Sequence, residues 1–134
     1  MKYILLSFII GLTFKVSAQI NYKYQNNLSF SYSETIENYK MLDSLYANAK
    51  LVEIGKSDIG RPLHLFVVSA DADFSPESLH NKGKAILLVN NGIHPGEPCG
   101  IDASLKFAED LLSKEKKLLK NTVVCIIPFY NIGG

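Results

Sequence analysis

The chain has 134 residues, long enough for one ordinary hydrophobic core and too short for two. Lys and Arg number 14 against 13 Asp and Glu, and the resulting net charge of +1 excludes functions that depend on a strong field, such as holding nucleic acid or an anionic surface. Two cysteines allow one disulfide at most.

Met1 to Ala18 has the three parts of a secretory signal: Lys2, an apolar stretch from Tyr3 to Phe14, and the small-residue cleavage site Val16-Ser17-Ala18. The apolar stretch falls short of the ~20 residues a spanning helix needs, and Lys15 interrupts it. The expectation is a signal peptide over residues 1–18 and an exported, secreted or periplasmic, domain over residues 19–134, with no stable membrane association after cleavage.

Gln19 to Phe30 is polar and aperiodic and reads as a loosely packed mature N-terminus. From Ser33, the positions Ile36, Tyr39, Leu42, Leu45 and Ala49 mark an amphipathic helix that Ser31 or Ser33 is able to cap. Leu51–Ile54 and Leu63–Val68 read as the strands of a hairpin whose turn holds Asp58 and Gly60. Asp71 to Gly83, with Pro76, Asn81 and Gly83 among charged residues, reads as a connecting loop.

Ile86 to Val89 is a continuous apolar run of the kind expected in a strand covered on both faces. It leads into Gly92-Ile93-His94-Pro95-Gly96-Glu97, where glycines allow a sharp turn, and Pro98 suits the first turn of a helix marked by Ile101, Leu105, Ala108 and Leu112. Lys114-Glu115-Lys116-Lys117 closes that helix as a solvated, mixed-sign face. A second apolar run, Val123 to Ile127, follows. The order predicts α/β architecture: a mixed parallel and antiparallel sheet flanked by helices.

The strand-loop-helix unit carries the chemistry. In such folds the carboxyl end of a strand opens on the crevice where ligands bind. His94 and Glu97, three residues apart, bring an imidazole and a carboxylate to that place, and both suit zinc. A His-x-x-Glu spacing arises by chance in roughly one such chain in six, so it is the strand, the glycines and the helix around it that single this one out. The same two residues would otherwise be a backbone-satisfied histidine and a helix-capping carboxylate. His64, alternating with Leu63 and Leu65, reads as structural, and His80 as solvent-exposed. Arg61 reads as a hairpin or surface residue, and Asn131 either lines the site or is ordinary loop chemistry. Cys99 and Cys125 sit in apolar surroundings and read as two separate buried thiols rather than a disulfide.

Three segments together resemble the zinc carboxypeptidases of the carboxypeptidase A and B type. They are the metal loop with His94 and Glu97, the upstream Gly55-Lys56-Ser57-Asp58-Ile59-Gly60-Arg61-Pro62-Leu63, which is similar to that family's Gly-x-Ser-x-x-Gly-Arg-Pro hairpin, and Ile127-Pro128-Phe129-Tyr130-Asn131-Ile132-Gly133-Gly134, which stands where many members carry Pro-x-x-Asn-Pro-Asp-Gly. The likeness runs from about Ser33 to Gly134, the first part of that catalytic domain, so the implied fold is an incomplete zinc carboxypeptidase-like one. It implies zinc as cofactor, His94 and Glu97 as metal ligands, and a peptide substrate cut at its C-terminal bond. Gly96 stands where digestive members often place a substrate-holding arginine. The family's third zinc ligand, catalytic glutamate and carboxylate-binding arginines lie downstream of the matched part. No catalytic residue is therefore expected within this chain, and the isolated chain is expected to be inactive. A zinc amidase or deacylase acting on cell-wall peptides or acyl-amino acids, and a non-catalytic domain that kept the fold, are the alternatives. The mature protein is predicted to begin at Gln19; intact-mass analysis of exported material checks this, and retention of Met1 to Ala18 overturns it.

Overall fold

The computed structural model describes residues 20–94 and 96–134. The signal-peptide reading lies outside the described residues. The described elements run α1 (Tyr32–Leu45), β1 (Ala49–Lys56), β2 (Pro62–Val68), α2 (Pro76–Asn81), β3 (Ala85–Asn90), α3 (Cys99–Ser113) and β4 (Thr122–Ile127), with short 3-10 turns at Tyr24–Asn26 and Lys116–Leu119.

α1 starts at a capping box. The Ser31 side chain accepts from the Glu34 amide, and Glu34 accepts from the Ser31 amide in return. Lys23 pairs with Glu34, and this pairing together with the Ser31 contacts holds the exposed Glu34 carboxyl at about 2. Ser31, not Ser33, is the cap. The helix ends at Leu45, so Ala49, which continues the helical spacing in the sequence, belongs instead to β1. There the Ala49 amide closes a turn onto the Tyr46 carbonyl, and the residue pairs with Val68. Its burial, at 4% exposure, comes from the sheet.

The four strands form one sheet in the order β1-β2-β4-β3. β1 with β2 and β2 with β4 are antiparallel, whereas β3 and β4 are parallel, from Ala85 opposite Thr122 to Asn90 opposite Ile127. The sheet is therefore mixed, as the element order implied. Alternation along β2 and β4 serves two layers: Phe66, Val68, Val124 and Ile126 pack with Tyr39, Leu42, Leu105, Ala108 and Leu112 of α1 and α3, while Val67 and Val123 pack with Leu79 of α2 on the opposite face.

Several expectations are corrected. The segment Asp71 to Gly83 contains α2: Ser75 accepts from the Ser78 amide as N-cap, and Pro76 occupies the first turn, where its missing N–H costs nothing. The segment from Ile20 to Phe30 is not loosely packed, because Ile20 and Phe30 join the main core. Their wide spacing in a polar stretch matches neither a helical nor a strand period, which is why the sequence hid them. Among the described residues β3 is not covered on both faces: it lies at the edge of the four-stranded sheet, with Ile86, Leu87 and Leu88 at 55%, 47% and 58% exposure. β4, with Val123, Val124 and Ile126 buried, is an interior strand, between β2 and β3. Cys99 is exposed and Cys125 half-buried, both as free thiols, so they are separate as expected, but Cys99 is not buried; burial pushes the Cys125 thiol up.

Truncating Leu105, fully buried on α3, to Ala is expected to cost about 2–5 kcal/mol. Leu88→Ser on the exposed edge is expected to cost under about 1 kcal/mol. Urea unfolding midpoints check both; a Leu88 change as costly as the Leu105 one would contradict an edge position for β3.

Candidate metal centre

The loop from Asn91 to Glu97 leaves the carboxyl end of β3 and enters α3. Gly92 and Gly96 both have left-handed backbone, with φ of 60° and 77°, so the chain reverses twice within a few residues. At Gly92 a side chain would also be tight, since a Cβ there would lie 3.3 Å from Phe129 Cδ1 and 3.4 Å from Ile101 Cδ1. α3 begins at Cys99, with Pro98 as N-cap accepting from the Ile101 and Asp102 amides through its carbonyl.

Asn91 ties this loop to the core. Its amide donates to the Ile127 carbonyl at 3.1 Å, and its side-chain nitrogen reaches Ser104 Oγ at 2.8 Å and the Ile127 carbonyl at 3.3 Å. Ser104 Oγ in turn donates to the Ile101 carbonyl and lies 3.1 Å from the Tyr39 hydroxyl. Burial pushes the Tyr39 hydroxyl pKa up, which keeps its proton in place for this network. Asn91, Ser104 and Tyr39 thus link α1, α3 and the loop through buried, mutually satisfied polar groups. Sequence reasoning missed this anchor, because a buried Asn at a strand end looks like any loop Asn.

The loop brings His94 and Glu97 together. His94 Nδ1 lies 3.2 Å from Glu97 Oε2, with side-chain exposures of 71% and 66%. Two ligands each ~2.0–2.1 Å from one tetrahedral ion stand roughly 3.3 Å apart, so this separation and this nitrogen-oxygen donor pair fit a shared zinc ion. Beside them a depression of about 80 Å³ is lined by Gly92, Ile101, Phe129 and Asn131 among others. Among the described residues no group of three or more His, Cys, Asp or Glu side chains is gathered to hold a metal. The described residues thus bring together one imidazole and one carboxylate, and a metal held between them would need further donors.

The other candidates fall elsewhere. Asn131 sits at the loop, its side chain donating to the Ile93 carbonyl at 3.3 Å. Arg61 lies with its guanidinium 5.5 Å above the Tyr32 ring, a hairpin contact. His80 is exposed on α2. His64 faces Glu53 across the hairpin, with its ring 6.5 Å from that of Tyr32 and its Nδ1 buried without a hydrogen-bond partner among the described residues.

The fold is that of metallocarboxypeptidases. Bovine thrombin-activatable fibrinolysis inhibitor, solved with a tick carboxypeptidase inhibitor, is similar at a TM-score of 0.65 and 22% identity, over 81% of this chain and 33% of that one. Carboxypeptidase A from Helicoverpa armigera is similar at 0.65 and 23%, over 75% and 24%, and a metallo-carboxypeptidase from Burkholderia cenocepacia at 0.60 and 20%, over 75% and 27%. The chain thus spans a quarter to a third of the length of these solved structures. None of the curated proteins compared matches it. The zinc carboxypeptidase family model matches residues 36–134, and the chain belongs to that family.

Burial holds the His64 pKa below its ordinary value. Below the unfolded value of about 6.5 the unfolded chain then binds more protons than the folded one, so His64 makes stability fall as pH drops through that value, down to its folded pKa. His64→Leu is expected to flatten the pH dependence of the unfolding midpoint on the acid side of neutrality. An unchanged acid-side slope would remove His64 as its source.

Proposed function

We propose that this chain carries the first two metal ligands of an exported zinc carboxypeptidase that removes residues from the C-termini of peptides. The single observation that carries the reading is the His94–Glu97 pair, 3.2 Å apart at the carboxyl end of β3, in a chain of the zinc carboxypeptidase family. In this reading His94 holds the ion through Nδ1 and Glu97 through Oε2. Zinc, when bound, polarises the scissile carbonyl and lowers the pKa of a water molecule. The exposure of both ligands leaves their outward side open to an extended peptide. Gly96 beside Glu97 supplies no cation next to that ligand, and the Arg61 guanidinium lies over the Tyr32 ring. The substrate carboxylate must then meet basic groups elsewhere in the whole protein. The same holds for the third zinc ligand and the general base, which the reading assigns to the part of the protein that the longer solved relatives include.

Export is supported by Lys2, the apolar stretch Tyr3 to Phe14 and Val16-Ser17-Ala18, with residues 19–134 as the exported part. Among the described residues no helix is long and apolar enough to cross a membrane.

In the full-length protein, His94→Ala and Glu97→Ala are each expected to lose stoichiometric zinc and to lower peptide hydrolysis by at least 100-fold, since each removes a direct ligand from a small set. His80→Ala, exposed on α2, retains both. Elemental analysis alongside hydrolysis of a C-terminal peptide substrate checks this, and zinc retained at one equivalent by both ligand variants would overturn the assignment.

A further inference from the structure

His94 stands on a loop with little to hold it. Gly92 and Gly96 flank it in left-handed conformations, and neither metal-facing side chain is fixed by burial. A metal ligand nevertheless has to be held within roughly 0.5 Å of its working position. The restraint visible on this loop comes from the segment after β4. Three consecutive loop carbonyls each receive a donor from two consecutive residues: Tyr130 N–H donates to the Asn91 carbonyl at 2.9 Å, Asn131 N–H to the Gly92 carbonyl at 2.8 Å, and the Asn131 side-chain nitrogen to the Ile93 carbonyl at 3.3 Å. The last of these fixes the peptide plane that leads directly into His94.

Two further contacts support that segment. The Phe129 ring lies against Gly92 on one side and meets the Tyr32 ring edge-on on the other, centroids 5.8 Å apart. At the end of the segment Gly133 lies against the hairpin turn between β1 and β2, so closely that a Cβ there would stand 2.7 Å and 2.9 Å from the two Asp58 carboxylate oxygens. The turn is itself closed, with the Ser57 amide donating to the Arg61 carbonyl and the Gly60 amide to the Ser57 carbonyl. The hairpin tip thus lies directly against the end of the segment.

We infer that Phe129 to Gly134, braced by the hairpin tip at Asp58, is a clasp that positions His94, and that Asn131 is its positioning residue. The inference rests on the zinc reading above. It gives a shared task to two sequence segments, Gly55–Leu63 and Ile127–Gly134, that supply no metal ligand. Asn131 acts through its hydrogen bond to the Ile93 carbonyl.

Asn131→Leu tests it, because the side chain keeps its branched shape, loses the N–H donor and adds no charge beside the ion. In the full-length protein the zinc dissociation constant, measured by chelator competition, is expected to rise about 3- to 10-fold, the worth of one hydrogen bond. The visible absorption band of the cobalt-substituted protein should shift, and the thermal unfolding midpoint should stay within error of the parent. Asn121→Asp, an exposed change before the amino end of β4, leaves all three unchanged. Zinc affinity within twofold of the parent, with an unshifted cobalt band, overturns the clasp. If the parent itself binds no zinc, the proposed function fails, and the clasp is decided without metal by amide exchange: faster exchange at Tyr130 and Asn131 in the variant supports it, and unchanged exchange overturns it.

Discussion

The parallel pairing of β3 with β4 is the constraint on which the rest of this structure depends. Parallel neighbours point their carboxyl ends the same way, so the loop that follows Asn90 and the segment that follows Ile127 emerge side by side. The Asn91 amide carries the ladder one rung past the strands by bonding to the Ile127 carbonyl. Such a pair requires a crossover that returns the chain to the starting end of the sheet. α3 supplies it: 15 helical residues span roughly 22 Å, close to the ~20 Å of a six-residue strand. Its apolar face, with Leu105, Ala108 and Leu112, is then pressed onto the sheet while its first turn stays beside the loop of His94 and Glu97. A shift of β3 along β4 would separate the carbonyls of Asn91, Gly92 and Ile93 from their donors.

Beneath the loop of His94 and Glu97 the molecule uses buried polar groups. Tyr39, Ser104 and Asn91 are all buried, and each has a partner. Apolar contacts tolerate sliding, whereas a chain of directed hydrogen bonds fixes α1, α3 and the loop in one mutual arrangement. A buried amide left without partners would cost about 1–3 kcal/mol, so the arrangement is held by the penalty for breaking it as much as by the bonds themselves. Gly100 shows how tight this region is, since a Cβ there would lie 3.1 Å from Asn91 Oδ1.

The parts of the fold that announce themselves by period or by turn chemistry were legible in the sequence. Ile36, Tyr39 and Leu42 gave α1, Asp58 and Gly60 gave the hairpin turn, and Ile101, Leu105, Ala108 and Leu112 gave α3. Parts defined by a distant partner were not. Nothing within Ile86–Leu88 distinguishes an edge strand from an interior one, because that depends on which strand lies alongside. Ser75-Pro76 is a helix start, but the six residues of α2 are too few to display a helical period. At the site, the residue types and the glycines singled out His94 and Glu97 from three histidines and many carboxylates. The network behind them joins Asn91 to Ser104 and Tyr39, residues far apart in the chain, and only the folded structure brings them together.

The exposed β3 bears on how the protein is made. Ala-Ile-Leu-Leu-Val-Asn is a six-residue window without charge or proline, the composition that favours strand-on-strand stacking between copies. Its partner β4 is translated about 30 residues later, a lag of roughly 2–6 s at ~5 to 20 residues per second. During that interval the window has no native neighbour. Lys84 on one side and the polar Asn90-Asn91 on the other act as gatekeepers at its ends, limiting how far a wrongly paired ladder can grow. The strand that sets the loop of His94 and Glu97 in place is thus also an uncharged window that must wait for its partner.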